Sequence, residues 1–209
     1  MKSAIFDMDG TLLDSMTTWS KACITPLIKN KIKYPENIMD IITPLKFEQT
    51  AEYYRTLGLN LSYDELFSSV YDEMAYEYRH NIKAKPYVYD YLEKMQKNGT
   101  KMCILTATQR EVAMPCLERL DLLKYFEFFL SCGETGMSKT NPEIYILAAK
   151  KLGFPIEETA VYEDNCNAVK SAKEAGAFVY GVYDKTSDHA VEEIKRNCDV
   201  YIKSFSELI

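Results

Sequence analysis

The chain has 209 residues, 27% of them charged and 47% hydrophobic, the make-up of an ordinary globular protein. Its 25 basic and 31 acidic residues leave a formal charge of −6, which argues against the clustered positive footprint of a nucleic-acid binder. A chain of this length suits one domain, or one with a modest insertion, and can bury a core without a disulfide or metal staple.

Cys23, Cys103, Cys116, Cys132, Cys166 and Cys198 are scattered without a C-x-x-C pair, and His80 and His189 are the only histidines. Zinc is poorly supported by that distribution, and free thiols in a reducing cytoplasm are expected. No signal-peptide core precedes Asp7, and no apolar run approaches the roughly 20 residues of a membrane span. The expectation is a cytoplasmic protein with no nucleic-acid or membrane partner, as a monomer or weak homodimer.

Ala4, Ile5 and Phe6 read as a short buried strand. It ends in Asp7-Met8-Asp9-Gly10-Thr11, where glycine permits a tight turn. Residues two apart on an extended backbone point to one side, so Asp7 and Asp9 start out side by side. The carboxyl end of a strand is where open α/β sheets bind ligands. Carboxylates this close repel unless a cation or shared proton intervenes, so the pair calls for a divalent metal. The plain alternative is an Asp-Gly turn with both acids solvated.

From Ser15 the periodicity is helical for roughly 65 residues. Trp19, Ala22, Cys23 and Leu27 recur at helical spacing, with Pro26 expected to kink or end that helix. Phe47, Ala51, Tyr54 and Leu57 mark a second helix, closed by Gly58. Ser62 and Glu65 form a capping box for a third, running to about Arg79. The block reads as a helical bundle.

From Ala84 helices and apolar strands alternate. Met102–Leu105, Phe126–Leu130, Thr159–Tyr162, Ala177–Val182 and Val200–Ile202 read as strands. Helices are expected around Val88–Met95, around Val112–Leu120, from Pro142 to Gly153 and from Asn165 to Gly176. This alternation implies an α/β fold, a Rossmann-like doubly wound parallel sheet with an inserted all-helical domain.

Three further stretches carry polar residues suited to chemistry. Thr106-Ala107-Thr108 ends a strand and opens a helix, a natural phosphate seat, although either threonine also suits a plain N-cap. Lys139 lies in a loop shortly before Pro142, where an ordinary solvated lysine is the competing reading. Glu163 and Asp164 end another strand, and alternation lets only one of them face the first acidic pair. Acids favoured by the helix dipole are the alternative there.

Asp-x-Asp-Gly-Thr after the first strand, Thr106, Lys139 before Pro142-x-x-Tyr145, and Glu163-Asp164 resemble, in this order, the four motifs of the haloacid dehalogenase superfamily. The resemblance covers essentially the whole chain and lies with the phosphate-transferring members. It implies that Asp7 is the nucleophile and Asp9 the general acid and base. Thr106, the Ala107 amide and Lys139 would bind the phosphoryl group. Asp7, Asp9 and Asp164 would hold Mg²⁺, with Glu163 as a further ligand or behind one. Thr140, Asn165 and Ala168 depart from the usual residues, but none removes a ligand.

The core would comprise residues 1–14 and 83–209, and residues 15–82 resemble the C1 cap of β-phosphoglucomutase-like members. The implied activity is Mg²⁺-dependent hydrolysis of small phosphomonoesters, with a small phosphorylated metabolite as partner. A sugar phosphomutase shares every core residue and is the first alternative; a non-catalytic binding or regulatory protein is the second. Dehalogenation ranks low because Asp9 fills the acid/base position. Ten of the 16 tyrosines lie between Tyr34 and Tyr91, where packing is favoured over stacking on a substrate. Lys46 is the candidate substrate contact from the cap.

Overall fold

Six short apolar runs pair into one parallel sheet. They are β1 (Ser3–Phe6), β2 (Lys101–Thr106), β3 (Phe128–Ser131), β4 (Thr159–Glu163), β5 (Phe178–Val182) and β6 (Val200–Ile202), in the order β3-β2-β1-β4-β5-β6. This is the doubly wound order, in which ligands bind beyond the carboxyl ends of the strands where the order reverses, here between β1 and β4. The structure, a computed structural model, describes residues 1–209 except 43, 44 and 46, and only the backbone of residue 40.

The chain divides into two compact units, Met1–Met16 with Ile82–Ile209, and Thr17–Asn81. Among its described residues, the regular structure of the second unit is all helix. It holds nearly all of α1 (Met16–Lys29), and all of α2 (Ile38–Ile42), α3 (Phe47–Thr56) and α4 (Tyr63–His80). Pro26 does not end α1, which continues to Lys29. The Tyr54 hydroxyl donates to the Cys23 carbonyl at 2.9 Å, in the turn that the proline disturbs. The capping box of α4 forms as its sequence dictates, with Ser62 and Glu65 each satisfying the other's backbone N–H. Tyr63, Phe67 and Tyr71 stack at successive turns of α4, and Trp19 packs edge-on to Tyr71 and donates to the Tyr78 hydroxyl at 3.0 Å. Tyr54 and Tyr78 are fully buried, so packing accounts for them, whereas Tyr76 is exposed.

In the sheet unit the helices are α5 (Val88–Lys97), α6 (Arg110–Arg119), α7 (Cys132–Thr135), α8 (Glu143–Leu152), α9 (Cys166–Glu174) and α10 (Val191–Asn197). Strand alternation sorts the side chains into two layers. Ile5, Cys103, Leu105, Val161 and Val179 pack with Ile144, Tyr145 and Ala148 of α8 and with Val169 and Ala172 of α9. On the opposite face, register neighbours Phe6, Tyr162 and Tyr180 stack flat, with ring centroids 4.3 and 4.6 Å apart. Tyr91 of α5 covers that stack, its hydroxyl hydrogen-bonded to that of Tyr162. In this unit two α-helices escaped the periodicity. The four residues of α7 are too short to show a period, although Ser131 and Glu134 form a capping box, and α10 is a run of seven.

Where the chain re-enters the sheet unit, it pairs with the turn after β1. Lys85 N–H donates to the Leu12 carbonyl at 2.8 Å and Asp14 N–H to that of Lys83 at 2.9 Å. The half-buried Lys85 ammonium pairs with Asp184 at 2.9 Å and donates to the Tyr183 carbonyl at 2.7 Å. Burial alone would raise the Asp184 carboxyl, but Lys85 and the Thr186 amide outweigh it and hold it below the usual range. The next turn is strained: Tyr87, at the N-cap of α5, is left-handed at φ 64° and 53% exposed. A side chain there costs about 1–2 kcal/mol, and glycine relieves this at some entropic cost. Tyr87→Gly is therefore expected to stabilise the protein by roughly 1 kcal/mol, raising Tm by about 2–4 °C. A lower Tm on thermal denaturation would show that the ring makes contacts worth more than the strain.

Candidate active site

The site begins with the register of β1 and β4. Ile5 pairs with Val161 and Phe6 with Tyr162, and Asp7 N–H extends the ladder by donating to the Tyr162 carbonyl at 3.0 Å. Two residues beyond Ile5 and Val161, Asp7 and Glu163 emerge at one level on the face covered by α8. The loop before α8 supplies Lys139. Its ammonium pairs with the Asp7 carboxylate and with Glu163 Oε2 at 2.7 Å, its side chain only 12% exposed. The other Glu163 oxygen accepts the N–H groups of Asp164 and Asn165, at 3.1 and 3.0 Å.

Alternation along the strand allows only one of Glu163 and Asp164 to face the first acids. Both do, because β4 stops at Glu163 and Asp164 lies on the turn beyond it. Its carboxylate accepts the Thr11 hydroxyl at 3.4 Å and packs on Gly10. A Cβ on Gly10 would lie 2.7 Å from Asp164 Cγ, and φ there is +84°, so the turn requires glycine on both counts. Carboxylate oxygens of Asp7, Glu163 and Asp164 lie within 4.8 Å of one another, all three residues buried.

The electrostatics follow from this crowding. Burial, then the Glu163 charge, push the Asp7 carboxyl up to about 6 despite Lys139. Burial, then Asp7 and Glu163, hold Asp164 well above the ordinary carboxylate range. Burial disfavours the Lys139 charge, yet Asp7 and Glu163 prevail and keep it well above an ordinary lysine. Three buried carboxylates with one lysine in direct contact make an oxygen-rich, negatively charged pocket. That donor set fits a hard divalent cation, which would relieve the repulsion.

Asp9 stands apart from this cluster. Ser15 donates to its Oδ1 at 2.6 Å and Thr108 to its Oδ2 at 2.7 Å. Thr106 is buried at the end of β2, and its hydroxyl accepts the Thr108 N–H at 3.1 Å. Ala107 is exposed between the two threonines. Neither threonine is the helix cap: the N-cap of α6 is Gln109, without a side-chain bond. Lys46 lies outside the described residues. From the sequence neither Ser15 nor Thr11 has a role at the site, Thr11 being only the last residue of the Asp-x-Asp-Gly-Thr motif. Hydroxyls flanking an acidic turn were the available signal, but Ser15 read only as the point where strand gives way to helix.

A family model described as haloacid dehalogenase-like hydrolase matches residues 4–182. The chain is 29% identical over 190 residues to a phosphorylated carbohydrates phosphatase of Thermotoga maritima, covering 90% of this chain and 88% of the relative. It is 26% identical to a phosphoglycolate phosphatase of Salmonella typhimurium, over 100% of this chain and 91% of that one. Among solved structures, a putative β-phosphoglucomutase from Thermotoga maritima superposes with a TM-score of 0.81 at 28% identity, covering 97% and 94% of the two chains. None of the described helices is long and apolar enough to cross a membrane. With the family model spanning most of the sheet unit and the helical insertion alike, the chain belongs to the haloacid dehalogenase-like hydrolases.

Proposed function

We propose that the protein is a Mg²⁺-dependent phosphatase that hydrolyses small phosphomonoesters, sugar phosphates among them, through an aspartyl phosphate on Asp7. The observation that carries this reading is the buried cluster of Asp7, Glu163 and Asp164, with Lys139 paired to the first two, at the point where the strand order reverses. Relatives named as phosphatases of phosphorylated carbohydrates and of phosphoglycolate support the substrate class.

In this reading the Asp7 carboxylate attacks phosphorus, the bond from phosphorus to the ester oxygen breaks, and Asp9 gives that oxygen a proton. Asp9 then takes a proton from water as the water oxygen attacks phosphorus. The bond from Asp7 to phosphorus breaks, releasing inorganic phosphate and restoring both acids. Lys139 faces the charge of the transferring group. The Thr106 hydroxyl accepts one hydrogen bond and keeps its proton to donate to a phosphoryl oxygen, beside the Ala107 amide.

Asp7 and Asp164 would hold the Mg²⁺, with Glu163 behind them because its two oxygens are engaged by Lys139 and by backbone amides. The side chain of Asp9, which accepts the Ser15 and Thr108 hydroxyls, would carry the proton. Bound there, the ion supplies charge neutralisation between the carboxylates and the phosphoryl group. A sugar phosphomutase is the second reading, favoured by the likeness to the putative β-phosphoglucomutase. A mutase needs a firm anchor for a second phosphate, for which arginine is best suited. Between Ser15 and Ile82 the arginines are Arg55 and Arg79, and Arg55 is paired with Glu52.

A phosphate-release screen over sugar, polyol and nucleotide phosphates with Mg²⁺ tests the reading. Asp7→Asn is expected to reduce release to background while the protein stays folded by circular dichroism; a substantial residual rate would take the nucleophile role from Asp7. With β-glucose 1-phosphate, Mg²⁺ and a trace of the bisphosphate, inorganic phosphate or no reaction is expected. Efficient conversion to glucose 6-phosphate would establish the mutase instead.

Metal binding can be followed without turnover. In the metal-free protein Asp7 holds its proton to about pH 6, against an ordinary 3.8 when unfolded. The folded state binds the extra proton in that window, so stability falls as pH rises through it, and Asp164 shifts in the same direction. Mg²⁺ is therefore expected to raise Tm more at pH 8 than at pH 5. At pH 8, Asp164→Asn is expected to abolish the Mg²⁺ shift. A shift independent of pH and of Asp164 would put the ion elsewhere.

A further inference from the structure

Asp9 is the acid with a hydroxyl on each of its oxygens. Ser15, six residues on and fully buried, donates to Oδ1 at 2.6 Å. Thr108, 99 residues away and 5% exposed, donates to Oδ2 at 2.7 Å. A carboxylate held through one oxygen still turns about its terminal bond, because that torsion is broad. Held through both, it keeps one plane. The half-buried Asp9 thus presents its carboxylate in an orientation set jointly by the β1 turn and the β2 loop.

The β2 loop is built to deliver the Thr108 hydroxyl to this place. Thr108 N–H donates to Thr106 Oγ1 at 3.1 Å, which fixes the backbone on which the Thr108 side chain stands. A threonine just before a helix ordinarily spends its hydroxyl capping the first amides. Here the N-cap is Gln109, which makes no side-chain cap, and the Thr108 hydroxyl goes to Asp9.

We propose that Thr108 is a positioning residue, which together with Ser15 fixes the orientation of the Asp9 carboxylate toward the ester oxygen. This rests on the assignment of Asp9 as the group that protonates that oxygen. Misplacing a reacting group by about 1 Å costs up to roughly 10²-fold in rate, so a lost hydroxyl is readable in turnover.

Phenyl phosphate and p-nitrophenyl phosphate separate the possibilities. They differ little in size, but nitrophenolate departs without a proton, whereas phenolate benefits from one. Thr108→Val keeps the shape and removes the hydroxyl. It is expected to lower kcat/KM for phenyl phosphate about tenfold, leaving that for p-nitrophenyl phosphate within about twofold and Tm little changed. Thr108→Ser is expected to restore the phenyl phosphate rate, and Ser15→Ala to repeat the selective loss, which keeps the test decisive if the valine variant folds poorly. Equal losses on both esters, or a loss that follows only the folded fraction, would overturn the inference. Asp9→Asn is run alongside. If it shows the selective loss and the hydroxyl variants do not, the positioning role alone fails; if Asp9→Asn is unaffected on both esters, the acid assignment itself fails.

Discussion

Everything at this site depends on the repulsion among three carboxylates brought together out of water. Asp7, Glu163 and Asp164 are each buried, and two of them are pushed toward their protonated forms by that burial and by each other. Such an arrangement lowers stability unless something else holds it. Lys139 is the counter-charge inside the cluster, and its own charge persists because two acids face it. Two backbone amides on Glu163 spread the remaining charge. A site of this kind sacrifices folding energy for a standing demand for cationic charge, which a phosphoryl-transfer centre uses.

The scaffold that enforces the repulsion is stiff. Asp7 continues the central strand of a six-stranded parallel sheet, and the stacked rings of Phe6, Tyr162 and Tyr180 set the spacing of β1, β4 and β5 on one face. The apolar layer of α8 and α9 fills the other face and carries the loop with Lys139 to the same end. The β1 turn is gripped twice. Gly10 lets it lie against Asp164, and the segment Lys83–Lys85 pairs with it while Lys85 is anchored to Asp184. A change at Lys85 or Asp184, remote in sequence from Asp7, therefore bears on the same turn.

Local sequence carried a great deal of this. Apolar runs alternating with amphipathic stretches were enough for the parallel α/β sheet and the helical insertion, because burial on both faces of a strand and on one side of a helix leaves a periodic trace. Two acids after a strand, followed by glycine, marked Asp7 and Asp9 for the same reason: tight turns and strand alternation are rules of a few residues. The capping box at Ser62 and the glycine stops of the helices belong to the same class. Where the trace was too short, as in α7, local rules missed the element, and of the two outcomes open at Pro26, ending the helix is the one that does not occur.

Tertiary structure alone decided which acids meet. Alternation assigned a single acid of Glu163-Asp164 to the site, yet both reach it, because the strand ends between them and the turn beyond follows its contact with Gly10. It also decided that the Thr108 hydroxyl serves Asp9 rather than the helix that follows, a contact across 99 residues. By itself the sequence determined the sheet, the insertion and the residue types that chemistry needs, since those follow from short-range periodicity and composition. The pairing of charges and hydroxyls was settled only by strand order and register, which bring together side chains whose separation along the chain holds no record of their contact.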